Sequence, residues 1–317
     1  MKKRKDKKRN NNDRQKRERT MRNLRLFSTT AEADDAYAND YEEPWVSYTD
    51  ENEEVRYNKS AYDTPLTFEA ISAGTITWVS QSTGGNKTIE YKRNDGEWAE
   101  ITSSTAGTPI TVAAGDRVQF RGDNAAYYSK IYTGPGARFG QSGSTLRVKI
   151  EGNIMSMIDS TGYASLKTLT EPGAFGYIFG MVGVTEASGL LLPATALTEY
   201  CYTLMFDGCH YLTSAPELPA TVLARECYMD MFRECLALRQ GPDLPAPVLA
   251  ASCYYGMFWN SGVKSVKCLA TDISAADCTT YWLNSAPSTG TFTKAASMND
   301  WPRSTDGIPA GWTVVDA

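Results

Sequence analysis

The stretch LPATALTEYCYTLMFDGCHYLTSAPE, residues 192–217, decides how the C-terminal half of the chain is read, because it returns twice. Leu-Pro-Ala opens at Leu192, Leu218 and Leu244, an offset of 26 residues each time. In phase with it run Leu197, Leu223 and Leu249, then Cys201, Cys227 and Cys253, then Tyr202, Tyr228 and Tyr254. The pairs Met205-Phe206, Met231-Phe232 and Met257-Phe258 follow at the same offset. Cys209 matches Cys235, with Ser261 in the third copy, and Leu212 matches Leu238. So many coincident positions mark a repeat architecture, in which a unit too small to bury its own apolar face stacks on its neighbours.

Within one unit, Leu197, Cys201 and Met205 stand at i, i+4 and i+8, beside a second row, Tyr202 and Phe206. This spacing predicts an amphipathic helix of about three turns, with Gly208 as its C-cap and a short extended piece over Tyr211–Ala215. Cys268-Leu269-Ala270-Thr271-Asp272-Ile273 reads as a degenerate fourth start slipped by one residue, with Cys278 in step. Phe175–Phe179 reads as a degraded first helix, and Gly290–Ala317, with Trp301 and Trp312, as a C-terminal cap.

The motifs Phe206-x-x-Cys209-x-x-Leu212 and Phe232-x-x-Cys235-x-x-Leu238 resemble the core of BspA-like leucine-rich repeats of gut Bacteroidetes and their phages. The resemblance covers roughly 170–317, and the third copy departs from it at Ser261 and Lys264. It implies a binding or adhesion surface without catalysis. Glu43-Pro44-Trp45-Val46-Ser47-Tyr48 resembles, over few residues, virion proteins of the head-fibre type in crAss-like phages.

Upstream of the repeats, Leu66/Phe68, Ile76/Trp78, Ile89/Tyr91, Val118/Phe120 and Leu146/Val148/Ile150 alternate with polar residues. Period two is the mark of half-buried strands. Gly84-Gly85, Gly115-Asp116 and Gly134-Pro135-Gly136 separate them as turns. Thr88–Arg93 and Glu97–Ile101, joined by Asn94-Asp95-Gly96, form a predicted hairpin. The expected fold class is multidomain, β-rich plus α/β: a basic arm (1–28), an acidic extended anchor or linker (29–62), an antiparallel β-sandwich (63–160) and a leucine-rich-repeat solenoid with its cap (161–317).

Charge is distributed unevenly. Residues 1–25 hold 13 Lys/Arg against 3 acids, or +10, out of 32 and 37 in the chain, so the remainder carries 19 − 34 = −15. Ten acids and no bases lie between Ala31 and Val55. A basic arm before an acidic, aromatic-bearing segment reads as an interaction tail, and it assigns partner anchoring to Lys2, Lys3, Arg4, Arg22, Arg25, Trp45 and Tyr48. No stretch approaches the roughly 18–20 apolar residues that span a bilayer. Leu24-Arg25-Leu26-Phe27-Ser28 is too short and charged for a signal-peptide core, so the expectation is a protein that reaches its destination without ordinary secretion.

The residue types needed for catalysis are sparse or badly placed. The 7 cysteines lack the close pairing of zinc ligands and recur in phase with core residues, so they read as small hydrophobes. The single histidine, His210, gives way to Leu236 and Gly262 in the next copies. Asp34-Asp35, Glu42-Glu43 and Glu53-Glu54 read as solvated charge. No phosphate loop or dinucleotide fingerprint occurs, so no catalytic residue, metal or cofactor is expected. The arm lacks the aromatic interleaving of base-stacking binders, which disfavours nucleic acid. Ligand contact is expected where copies differ: Asp207, Arg233 and Trp259 share one position and Thr203, Met229 and Tyr255 another. Trp259, Tyr255 and Arg233 are the candidate ligand-binding residues.

These readings converge on a non-enzymatic phage structural protein, a head fibre, decoration or tail fibre assembled in the host cytoplasm. Residues 1–62 would dock on capsid or other virion proteins, and the repeats would bind host-surface glycan or protein. Such a fibre would be a homo-oligomer, although no heptad pattern specifies one. A bacterial BspA-like cell-surface adhesin is the alternative, and a glycan-active enzyme ranks third.

Overall fold

Alternating apolar residues build two facing β-sheets, as a period of two requires. A computed structural model describes residues 46–49, 55–58, 61–80, 85–128, 136–143, 145–298, 301–304 and 306–317. Strands β1 (Val46–Thr49) and β2 (Val55–Asn58) pair antiparallel in a unit of their own, residues 1–60.

From Ala61 onward the chain forms a second unit. Its first part comprises β3 (Leu66–Ala70), β4 (Gly74–Ser80), β5 (Thr88–Arg93), β6 (Ala99–Thr102), β7 (Thr108–Val112), β8 (Arg117–Arg121), β9 (Ala137–Ser142), β10 (Val148–Asn153) and β11 (Val184–Leu191). One sheet has the order β11-β10-β3-β8-β5-β6 and the other β7-β4-β9. All pairings are antiparallel except β10 with β11. The sheets meet through buried aromatics: Phe139 of β9 lies 4.7 Å from Phe68 and 4.6 Å from Phe120. The hairpin β5–β6 forms where the sequence predicts it, with Asn94 supplying the positive φ of 52° in its turn.

The repeats do not form the helix-plus-strand leucine-rich-repeat solenoid expected of them. The described residues hold no α-helix, only two 3-10 turns at Ala61–Asp63 and Ile154–Met157. Each segment predicted as a helix is a run of β-turns, and Gly208 is a turn residue at φ 68°, not a helix cap. Within one run, Cys201, Thr203, Met205, Asp207 and Cys209 donate their backbone N–H three residues back, to Thr198, Tyr200, Tyr202, Leu204 and Phe206. The alternate residues Tyr200, Tyr202, Leu204, Phe206 and Gly208 donate instead to the next copy, at Arg225, Cys227, Met229, Met231 and Arg233. Every amide is thus paired without a helix.

The turns need a left-handed residue every fourth position. Tyr200, Leu204 and Gly208 have φ of 59°, 56° and 68°; Glu226, Asp230 and Glu234 have 55°, 53° and 58°; Ser252, Gly256 and Asn260 have 53°, 58° and 52°. The same pattern at Gly173, Tyr177 and Met181, and at Asp277, Tyr281 and Ser285, makes five such rungs. Two successive side chains then pack into the core; of the next two, Leu204 is half-buried, whereas Thr203 is fully buried and donates its hydroxyl to the Met229 carbonyl. Cys201, Tyr202, Met205, Phe206 and Cys209 are all fully buried.

Stacking places aromatic rings of successive rungs above one another. Phe179, Phe206, Phe232 and Phe258 follow at 5.4, 5.5 and 5.7 Å. Phe175, Tyr202, Tyr228, Tyr254 and Trp282 form a second column at 5.9, 5.7, 6.1 and 6.3 Å. On the other side of the rungs, β12 (Gln240–Leu244), β13 (Ser265–Cys268), β14 (Gly290–Lys294) and β15 (Trp312–Asp316) make a parallel sheet. Trp301 stacks on Trp282 at 5.5 Å at the C-terminal end. All seven cysteines are buried free thiols; burial pushes Cys201 and Cys268 up to about 12, so they are inert packing groups. No helix among the described residues is long and apolar enough to cross a membrane.

Candidate functional site

Because the inward positions are filled by nearly invariant core residues, chemistry on the rungs rests with the outward ones. Adjacent copies set these side chains in columns. Asp207, Arg233 and Trp259 form one column: Arg233 Nε lies 3.6 Å from Asp207 Oδ1, and its guanidinium sits 5.2 Å from the Trp259 ring centre. Asp230, Gly256 and Tyr281 form the neighbouring column. Asp230 N–H bonds the Tyr255 carbonyl and Gly256 N–H the Thr280 carbonyl, which places the three residues on successive rungs.

Three aromatic rings meet here. Tyr281 contacts Tyr255 edge-on at 5.8 Å and 88°, and Trp259 at 6.4 Å and 34°. Trp259 and Tyr281 are 37 % and 39 % exposed, unusual for rings of this size beside a saturated core. Arg233 is held by its acids and covers one face of Trp259, while Tyr281 lies against it from the next rung. Arg233 thus occupies one face of Trp259, and the exposed ring surface of the cluster is shared by Trp259 and Tyr281.

The electrostatics are acidic. Burial pushes the Asp207 and Asp230 carboxyls up to about 6 despite the opposing pull of Arg233. Neither Asp207 Oδ1 nor Asp230 Oδ1 accepts a hydrogen bond, although both are buried. Glu234 lies 3.8 Å from Arg233 and 3.7 Å from His210. Burial raises the Tyr255 hydroxyl, and the negative charges of Asp230, Asp277 and Asp306 add to the effect.

The structure brings Arg233, Tyr255 and Trp259 into one face. Sequence reasoning missed Tyr281 and Asp230. The available signal was Cys278, which follows Cys253 by 25 residues instead of 26, so Tyr281 aligns with Gly256 and not with Tyr255. The anchoring residues Lys2, Lys3, Arg4, Arg22, Arg25 and Trp45 lie outside the described residues, as do the paired acids of 34–35, 42–43 and 53–54; Tyr48 falls within β1. Elsewhere an open groove of about 600 Å³ lies between Thr213–Pro219 and Gln240–Pro245 and is lined by Pro216, Glu217, Pro219, Pro242 and Asp243. It offers no exposed aromatic ring. Among the described residues, no group of three or more His, Cys, Asp or Glu side chains is arranged to hold a metal ion.

Comparison with family models, with curated proteins and with solved structures finds no match to this chain.

Proposed function

We propose that this chain is a non-enzymatic attachment protein of a phage virion, carried as a head fibre, decoration or tail fibre, whose rung face binds a ligand on the host surface. The observation that carries the binding half is the cluster of exposed Trp259 and Tyr281 around half-buried Tyr255 on a fixed backbone ladder. Rings that pay no ordering entropy are efficient contact surfaces for glycan or protein. The virion half rests on the +10 arm of residues 1–25 and the acidic segment behind it, which suit docking on a charged protein lattice.

The binding half is tested by adding labelled full-length chain to intact gut Bacteroidetes cells and measuring retention. Saturable retention that falls about tenfold with Trp259→Ala plus Tyr281→Ala supports the reading, since a few buried or stacked aromatics dominate interface energetics. Retention indifferent to both changes contradicts it. Mass spectrometry of purified particles tests the virion half, and absence of the chain from them removes it.

A further inference from the structure

The backbone ladder that joins successive levels of the repeats is interrupted at one place. On its N-terminal side, Thr213 N–H donates to the Thr185 carbonyl, Ala187 N–H to that of Ser214 and Thr221 N–H to that of Thr195. On its C-terminal side, Lys264 N–H donates to the Arg239 carbonyl, Leu269 N–H to that of Leu244 and Thr271 N–H to that of Pro247, and β12 pairs with β13. Between residues 213–223 and 239–249, all of them described, no backbone hydrogen bond crosses. Part of the cause is visible in the repeat: Pro247 stands where Thr221 and Thr271 donate, and proline has no N–H to give.

The two levels stay joined on the rung side. Tyr228, Asp230 and Phe232 donate to the carbonyls of Cys253, Tyr255 and Met257, and the rings of Phe232 and Phe258 stack at 5.7 Å. Where the ladder is broken lies the open groove of about 600 Å³. That is the space of roughly 20 water molecules at about 30 Å³ each, so the break is an open slot rather than a tight contact between proline-rich segments. On its wall, Ala215 and Glu217 neither donate nor accept a backbone hydrogen bond. Unpaired main chain of this kind is a template for another strand. The lining holds two acids, Glu217 and Asp243, and no Lys or Arg. Lys267 engages Asp243 at 2.6 Å, whereas Glu217 is exposed and has no ion-pair partner among the described residues.

We propose that this slot takes up an extended, lysine-bearing peptide segment of a partner protein, which adds as a strand along Ala215–Glu217 and sets an ammonium group against Glu217. Main-chain hydrogen bonds supply the affinity in such an addition, and the acid selects the side chain. The lining has no aromatic ring on which a sugar could stack, which favours a peptide occupant over a glycan. The slot shares no residue with the Tyr255–Trp259–Tyr281 face, and the proposal does not rest on the reading of that face.

The test follows the Ala215 and Glu217 amides of the full chain by NMR at about 0.15 M salt. Three capped five-residue peptides are titrated: an alternating Lys-Thr sequence, the same sequence N-methylated at every internal amide, and its Glu-Thr counterpart. The expected result is a saturable shift of both amides with the Lys-Thr peptide and binding at least about tenfold weaker for the methylated form, which keeps the charge but cannot donate. The Glu-Thr peptide should give no saturable shift. Glu217→Lys, at an exposed position that leaves the fold intact, should weaken Lys-Thr binding by about three- to tenfold. Equal binding of the methylated or the Glu-Thr peptide, no saturable shift at these amides, or indifference to Glu217→Lys overturns the proposal. Cell retention through Trp259 and Tyr281 is a separate readout that neither result moves.

Discussion

Phe139 of strand β9 and Phe179 of the first rung stack with centroids 6.0 Å apart and planes 12° apart. Phe139 also donates its N–H to the Ile178 carbonyl at 2.9 Å. Beside them Trp78, Tyr127 and Phe175 continue at 5.7 and 6.3 Å into the tyrosine column. The β-sandwich therefore closes the open end of the first rung, and both parts share one uninterrupted aromatic core.

Phe179→Ala removes a fully buried ring from this junction and should cost about 3–5 kcal/mol. Urea unfolding followed both by near-ultraviolet dichroism and by backbone signal should show one coincident transition shifted to lower denaturant. Separate melting of the repeats in the unmutated chain would contradict a shared core.

Gly256→Ala should destabilise by about 1–3 kcal/mol, since it adds left-handed strain to a collision with Asp230. Asn260→Gly, at an exposed residue with φ 52°, should be neutral or stabilising by less than about 1 kcal/mol. Thermal unfolding of the two variants checks the contrast. A harmless Gly256→Ala would mean that Asp230 is not pressed against this glycine.

Asp207 and Asp230, held near 6 by burial, bind protons more readily in the folded chain than in the unfolded one. Between their ordinary value near 3.8 and about 6, stability should therefore rise as pH falls, and their cost is fully present above that window. Asp116, Asp159 and Asp272 are shifted the opposite way, by hydrogen bonds to Ala113 and Asn94, to Gly162 and Thr161, and to Ser274. Their contribution is lost only below the ordinary carboxylate value. Melting temperature should thus increase from pH 7.5 to pH 5, and Asp207→Asn with Asp230→Asn should flatten that rise.

Far-ultraviolet dichroism should lack the paired minima of α-helix, because the described rungs are turns. The sequence could not separate these cases. Leu197, Cys201 and Met205 sample a spacing of four only twice, over which a 4-residue turn repeat and a 3.6-residue helix drift apart by about one residue. What distinguishes them is a left-handed backbone at every fourth residue. Gly208, Gly256 and Asn260 hint at it, but Tyr200, Leu204 and Tyr281 adopt it through neighbour hydrogen bonds that no local preference announces. By contrast, the strands from Leu66 to Ile150 were legible, since period two has no helical counterpart. The ligand face was half legible: Trp259, Tyr255 and Arg233 vary between copies, whereas Asp230 and Tyr281 join them only through the 25-residue step to Cys278.

The most direct test compares two faces of the same ladder. Val222 and Val248, 60 % and 55 % exposed, provide a control stripe away from the aromatic cluster. Retention on host cells should fall about tenfold with Trp259→Ala plus Tyr281→Ala and stay unchanged with Val222→Ser plus Val248→Ser, at equal melting temperatures. Equal loss from both faces, or loss from the valine stripe alone, would contradict the assignment of binding to the varying aromatic columns.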